Sequence, residues 1–328
     1  MRTPEVIYVE KRASQCTGTR QALHSFSDAQ IVEIEHYASL FHRRRQSFRM
    51  QKERPALMIA ASDGPFLYRS PDRVGGDGTR MFYTDQVRNC LFDCDYCFLQ
   101  GMHPSAYPVL FVNESDYHEA VEHELASGPM HINTSFLSDA MSVEAIVPTV
   151  EGWIRFAREH PDVTVEVRTK SAQIKPFLAH EPLPNVRAVW TLSPTEIARR
   201  YERGCAPLDA RLDALSTLAH AGWEPGVAID PVILIPGWHS HYAALLAEIP
   251  RFDPRTLSGV SFGVFRMASG HLDTIRGGRR DSAVLFHPFE RHNGLATYKA
   301  DEIAEVQRVI GEPLVKLFGE DRVTFVHA

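Results

Sequence analysis

No apolar run in the 328-residue chain approaches the ~20 residues that a membrane-spanning helix needs, which excludes a helical membrane protein. The opening stretch, MRTPEVIYVEKRAS, lacks the apolar core of a secretory signal. Cysteine is scarce and odd in number, five in all, which argues against a disulfide framework. Together these absences predict a reduced, cytoplasmic protein with no membrane partner. Positive charge is not in excess either. The 35 Lys and Arg against 41 Asp and Glu leave a formal charge of −6. No global field therefore draws the chain onto a polyanion, and a nucleic-acid contact has to come from a local basic patch. Internal repeats and low-complexity segments are also absent. What remains is an ordinary globular composition, 44% apolar and 23% charged. It is long enough for one large domain or two small ones around a substantial core.

One local basic patch exists. FHRRRQSFRMQKER carries Arg43, Arg44, Arg45, Arg49, Lys52 and Arg54. It is either a phosphate contact or a solvated helix end whose cations complement the dipole. Residues 28–46 have helical spacing. Ser27 and Gln30 stand at capping-box positions, and Ile31, Ile34, Ala38 and Phe41 share one face. RPALMIAAS reads as a short buried strand, and PDRVGGDGTR, residues 71–80, as a flexible connection. That connection divides an N-terminal extension, residues 1–75, from a main domain, residues 76–328.

In the main domain, strand and helix patterns alternate. β-branched apolar runs occur at RMFYTDQV, HINTSF, VTVEVRTK, VRAVWTLS, GVAIDPVILI and GVSFGVFRM. Helical patterns such as VEAIVPTVEGWIRFAREH and LDARLDALSTLAHAG fall between them, and VLFVNES with a following helix is inserted after the first. This alternation predicts an α/β fold with a parallel sheet and outer helices, either a partial TIM-like barrel or an open doubly wound sheet. Polar residues collect where the strands end. They are Ser135, Ser138 and Asp139, then Thr169 and Lys170, Thr191 and Ser193, Asp230, and Arg266. The C-terminal rim is where parallel barrels build sites.

The first of these strand ends carries NCLFDCDYCFLQG, with Cys90, Cys94 and Cys97 inside eight positions. Three thiolates on one short loop can hold three corners of a [4Fe–4S] cluster and leave one iron open to a non-protein ligand. Structural zinc is the alternative, but zinc takes four ligands, usually as two close pairs. The second pair is missing here, and His103 is the one nearby addition. Three inert buried thiols are the plainest option.

The C-x3-C-x-aromatic-C pattern, with Tyr96 before Cys97, resembles the signature of radical S-adenosylmethionine enzymes. The flanks resemble one family within that group, the spore photoproduct lyases. CDYCFLQ is similar to their cluster loop. VIYVE, VLFVNESD, SFLSD, VRTK, YERGCAPLDARLDAL, IDPVILIPGWHSHY and YKADEIAEVQ match in order along nearly the whole chain. The resemblance implies a partial (β/α)6 barrel with an N-terminal α/β extension and a C-terminal helix and strand. It also implies a [4Fe–4S] cluster on Cys90, Cys94 and Cys97, and S-adenosyl-L-methionine contacted by Tyr96, Ser138 and Lys170. The implied chemistry is cleavage of that cofactor to a 5′-deoxyadenosyl radical, which abstracts hydrogen from a thymine photoproduct in DNA. A small electron-transfer protein of the flavodoxin or ferredoxin type would be a partner.

The departures from the family concern the substrate end. The resembling lyases keep a hydrogen-returning cysteine two residues before the serine of SFLSD, where this chain has Phe136. Cys205, in YERGCAPLD, is a candidate relocated donor or a small buried residue near a helix end. Arg266 and Arg291 are the candidate counterparts of the family's basic residues, and the second loop aromatic is Phe98. Two alternatives stay open at this level. One is the same radical chemistry on a substrate other than DNA, and the other is a non-catalytic metal-containing DNA-binding protein.

Overall fold

The computed structural model describes residues 3–74, 79–249 and 253–326. The chain gathers into two compact units. The first takes Met1–Leu91, His103–Thr169 and Gln173–Ala188, and the second takes Phe92–Met102, Lys170–Ala172 and Val189–Ala328.

The first unit holds two runs of strands. In one run Gln30–Ile34, Val6–Glu10, Ala56–Ala60 and Val109–Phe111 lie side by side in parallel, and Val87–Arg88 adds an antiparallel edge. Ala56–Ala60 is buried along its whole length, as a central parallel strand covered on both faces must be. This bears out the buried strand expected there. Ile7, Leu57, Ile59, Leu110 and Val143 meet in the core of this run.

The helix expected over residues 28–46 is absent. Gln30–Ile34 is a strand, and only Ala38–Phe41 is helical. The segment QIVEI is rich in β-branched residues, which lose side-chain freedom in a helix and fit a pleated strand. Its parallel register with Val6–Glu10, Ile31 opposite Ile7 and Glu33 opposite Val9, overrides the local capping-box spacing. The expected insertion VLFVNES supplies Val109–Phe111 to the same run.

The second run of this unit sets Tyr68–Val74 antiparallel to Arg80–Tyr83, followed in parallel by Met130–Asn133 and Val163–Thr169. Part of the expected flexible connection, residues 75–78, lies outside the described residues. The helix Thr149–Glu159 buries Val150, Trp153, Ile154 and Phe156, and the Trp153 indole donates to Gln86 Oε1 at 2.7 Å.

In the second unit Val189 to Thr191, Gly226–Val232, Gly259–Val264 and Val323–Val326 run in parallel. Helices Thr195–Tyr201, Leu208–His220, Trp238–Glu248 and Ser269–Gly278 follow the strands in turn. The expected β/α alternation is therefore present in each unit. Parallel strands put their C-terminal ends on one edge. Tyr83, Asn133 and Thr169 share such an edge in the first unit, and Thr191 and Val232 do so in the second.

The short helix Leu99–Met102, which ends the cysteine segment, packs on Ser269–Gly278. Gly101 makes this approach feasible, because a Cβ there would lie 2.6 Å from the His271 carbonyl oxygen. Backbone cannot swing aside as a side chain can. Gly101→Ala should therefore destabilise the protein by about 1–3 kcal/mol through overpacking, read as a lower thermal midpoint. An unchanged midpoint would show that the two helices are not held at this separation.

Candidate functional site

The cysteine segment begins with a turn that suits its residue. Asn89 has φ +64°, the left-handed region that Asn tolerates better than most residues. It is fully buried, and its side-chain amide donates to the carbonyls of Ser105 at 2.7 Å and Tyr107 at 3.2 Å. Ser138 donates its hydroxyl to the Asn89 carbonyl at 2.6 Å. Lys52 donates to the carbonyl of Cys90. The Cys90 thiol lies 3.9 Å from the Ser142 hydroxyl, which itself donates to the Asp139 carbonyl at 2.6 Å. The Asp139 carboxylate accepts from Thr169 Oγ1 at 2.8 and 3.0 Å. All of these contacts lie within the first unit. Ser138 and Asp139, both expected at a strand end, are thus found bracing the start of the cysteine segment.

From Phe92 onward the segment belongs to the second unit. Asp93–Cys94 pairs antiparallel with Glu202–Arg203, so that Cys94 stands opposite Glu202. Tyr201 accepts from the Asp95 N–H at 2.8 Å. Gln100 donates to the Cys94 carbonyl at 2.8 Å and the Asp95 carbonyl at 3.1 Å. Arg279, almost fully buried, donates to Gln100, Asp93 and Asp95, and Arg203 also pairs with Asp93 and Asp95. Buried charges persist when they are paired and hydrogen-bonded. Here the pairing fixes the backbone on either side of Cys94.

Behind the loop lies a buried polar network centred on Glu202, 2% exposed. Its carboxylate accepts from the Tyr96 hydroxyl, from Ser193 Oγ at 2.7 Å and from Arg211. Arg211 is fully buried and spends its other donors on the carbonyls of Thr191 at 2.9 Å and Ala206 at 2.7 Å. The Lys170 ammonium sits 5.5 Å from the centre of the Tyr96 ring, within cation–π range. Burial alone would raise the Glu202 pKa, but Arg211 and Lys170 outweigh it and hold the group below the usual carboxylate range. Burial likewise works against the Lys170 charge, yet Cys94 and Glu202 keep the ammonium protonated. The Tyr96 phenol is pushed well up by burial and by Glu202.

Cys205 lies inside this network, with its sulfur 3.5 Å from that of Cys94. The hydrogen bond between them lowers the Cys94 pKa, and Lys170 adds to the effect. Burial and the neighbouring Cys94 drive the Cys205 thiol up. Cys205 is therefore the donor and Cys94 the acceptor, and Cys94 is the first of the pair to lose its proton. None of the five cysteines is in a disulfide. Among the described residues no three His, Cys, Asp or Glu side chains are already gathered as a metal site. His103, the candidate fourth ligand, has its ring 5.2 Å from that of Phe41.

The remaining expected residues fall elsewhere. Arg266 makes a two-pronged pair with Asp230, at 2.8 and 3.0 Å, and Arg291 pairs with the exposed Asp273. Phe136 is 39% exposed, and its ring centre lies 4.5 Å from that of Tyr83. Arg43, Arg44 and Arg45 lie on an exposed loop after Ala38–Phe41, with the helix Phe48–Glu53 beyond it. Sequence analysis missed Glu202 and Arg211 as centres of the network. Both lie in YERGCAPLDARLDAL, but a partnership nine residues apart across a strand and a helix has no local periodic signature.

Comparison with known proteins adds the following. A family model described as spore photoproduct lyase matches residues 83–267. A curated spore photoproduct lyase from Bacillus subtilis (strain 168) is 23% identical over 164 residues, which are 49% of this chain and 48% of that protein. The chain thus spans about half the length of the curated relatives it matches. A solved spore photoproduct lyase complexed with dinucleoside spore photoproduct superposes with a TM-score of 0.81 at 17% identity, over 99% of both chains. A mutant of that enzyme with bound AdoMet and the same dinucleoside gives 0.78 at 18% identity, over 98% of both. At such identities the likeness concerns the fold, and it carries the expected α/β partial-barrel class.

The Glu202 network generates a stability prediction. Glu202→Gln keeps the shape of the side chain and strands the Arg211 guanidinium in the interior. It should cost about 3–5 kcal/mol, read from the midpoint of urea denaturation. Adding Arg211→Met should recover much of the loss, because the uncompensated charge is then gone. A single variant as stable as wild type would mean that Arg211 finds its balance elsewhere.

Proposed function

The chain belongs to the spore photoproduct lyase family, and from that premise we propose that it is a radical S-adenosylmethionine enzyme that reverses a thymine photoproduct in DNA. The observation that carries this reading is the family match over residues 83–267, which takes in the whole cysteine segment with its three thiols retained. Relatives with AdoMet or a dinucleoside photoproduct bound share the fold, which supports the same cofactor and substrate class here.

The donor set fits an iron–sulfur cluster by its chemistry. Cys90, Cys94 and Cys97 are three thiols outside any disulfide on one short loop, soft ligands of the kind such clusters take. The hydrogen bond from Cys205, helped by Lys170, lowers the Cys94 pKa toward the thiolate, the ligating form. When bound, the cluster and S-adenosylmethionine supply the 5′-deoxyadenosyl radical that abstracts hydrogen from the lesion. The chain's own residues bind and orient. Lys170 offers a cation to a carboxylate. Tyr96, pinned through its hydroxyl by Glu202, presents a fixed aromatic face beside that cation. Ser138 braces the carbonyl before Cys90. A lesion within duplex DNA has to be turned out of the stack to meet such a site. A small one-electron carrier of the flavodoxin or ferredoxin type is the partner that the chemistry requires. No described helix is long and apolar enough to cross a membrane.

One observation favours a second reading, the same radical chemistry on another substrate. Phe136 stands where the resembling lyases return a hydrogen atom through a thiol, and the net charge is acidic. The deciding experiment is anaerobic reconstitution, followed by reaction with S-adenosylmethionine and a strong reductant, with and without ultraviolet-irradiated spore-type DNA. Deoxyadenosine formation together with loss of the photoproduct supports repair. Deoxyadenosine with an untouched lesion moves the assignment to the second reading. Absence of both overturns the enzyme assignment.

Two further outcomes are expected. Cys94→Ala should lose the broad visible absorbance of the cluster and most of its roughly four iron equivalents per chain, and with them cofactor cleavage. Full iron content in that variant would remove Cys94 from the ligand set. Reversing Arg43, Arg44 and Arg45 to Glu should weaken DNA binding and flatten the slope of log affinity against log salt by about 3, if each arginine meets one phosphate. Superimposable titrations of variant and wild type across a salt series would return the loop to a solvated surface.

A further inference from the structure

The Phe136 ring cannot return a hydrogen atom, because aromatic C–H bonds resist homolysis. Two other candidates are already committed. The Tyr96 hydroxyl donates to buried Glu202, and the Cys205 thiol is turned to Cys94. Beside Phe136, however, stands a second aromatic residue with a labile hydrogen. Tyr83 closes the strand Arg80–Tyr83, at the same strand-end edge as Asn133, which it faces in parallel register. Its ring centre is 4.5 Å from that of Phe136, with the planes 32° apart. On its other contact Tyr83 stacks on Tyr68, 5.0 Å between centres and 9° between planes. Tyr68 is itself anchored, donating its hydroxyl to Asp85 at 3.3 Å. Asp85 is buried, accepts from Tyr117 at 3.2 Å and pairs with Arg88. The Tyr83 ring is therefore held between a fixed partner and the exposed Phe136. Its hydroxyl makes no hydrogen bond among the described residues. Burial and the charge of Asp85 push the Tyr83 phenol up, so it carries its hydrogen at neutral pH.

We propose that Tyr83 is the hydrogen-atom donor of this chain, in place of the thiol that Phe136 displaces. The inference rests on the lesion-repair reading above. In the step, the product carbon radical takes the phenolic hydrogen. One O–H bond breaks, one C–H bond forms, and a neutral tyrosyl radical remains on Tyr83. That radical is returned to the phenol by one electron from the iron–sulfur or flavin carrier that serves the cofactor and by one proton from water. Tyr68 is a positioning residue, holding the Tyr83 ring by face contact.

The phenolic hydrogen exchanges with solvent, which provides the test. Reaction of the holoenzyme with irradiated DNA in D2O should give repaired thymine that carries solvent deuterium, read by mass spectrometry alongside deoxyadenosine. In Tyr83→Phe, folding being verified by circular dichroism, the label should fall to background and the substrate radical should divert to side products. Tyr83→Phe combined with Phe136→Cys should regain labelled product, because the thiol hydrogen also exchanges. Unlabelled thymine from wild type, or equal labelling in wild type and Tyr83→Phe, overturns the donor while leaving repair intact. Deoxyadenosine without any repaired thymine in wild type overturns the repair reading itself, and the donor with it.

Discussion

A carboxylate shut away from water has to be satisfied by the protein around it, and the loop that carries the thiols depends on how Glu202 is satisfied. Desolvating such a group costs several kcal/mol unless its lone pairs are filled and its charge is balanced. Tyr96, Ser193 and Arg211 fill them. Each comes from a different piece of chain, so the requirement of one carboxylate joins a strand end, a helix and the cysteine loop. Arg211 brings the balancing charge from the helix Leu208–His220 and also caps the carbonyls of Thr191 and Ala206. Tyr96 brings the loop. The residue before Cys97 is thereby fixed by the second unit's interior as well as by the loop's own short-range bonds.

The same charge balance sets the state of the thiols. Lys170 faces Cys94, Cys205 and Glu202 together, and these neighbours hold its charge against the cost of burial. The relation is reciprocal, since the ammonium adds to the Cys205 hydrogen bond in lowering the Cys94 pKa. Cys205 takes the opposite part and keeps its proton. Its position explains why a fourth thiol near the loop is not equivalent to the other three. Its sulfur is turned to that of Cys94, 3.5 Å away.

The parts of this arrangement that were legible in the sequence are those with a local code. Three cysteines within eight positions, and β-branched runs alternating with helical ones, are both short-range signals. They led to the loop and to the β/α order that each unit shows. Residues 28–46 went wrong for a related reason. A capping-box spacing was weighed without the neighbouring strand Val6–Glu10, and tertiary pairing decides between helix and strand for a short apolar run. Glu202 with Arg211 and Arg279 with Asp95 are long-range in kind. Their partners lie in separate elements, so only the folded chain brings them into contact. The family resemblance reached part of what periodicity could not. It singled out Ser138 and Lys170, which no periodicity marks, and it made Phe136 conspicuous as a departure.

That departure has a structural context that the sequence did not show. A Cys at position 136 would present a small polarizable group, whereas Phe136 presents a ring that extends the stack of Tyr68 and Tyr83 toward solvent. Offset and tilted aromatic contacts of this kind contribute beyond the area they bury. Replacing the thiol thus exchanges a reactive group for a packed one and leaves a phenol as its immediate neighbour. Tyr68 is tied to Asp85, and Asp85 is tied in turn to Tyr117 and Arg88. The stack therefore rests on a buried charge pair at one end and reaches the partly exposed Phe136 at the other. It also keeps the Tyr83 hydroxyl in one place relative to whatever Phe136 touches. Positional constancy of that kind is what a hydrogen-atom transfer between two fixed partners requires.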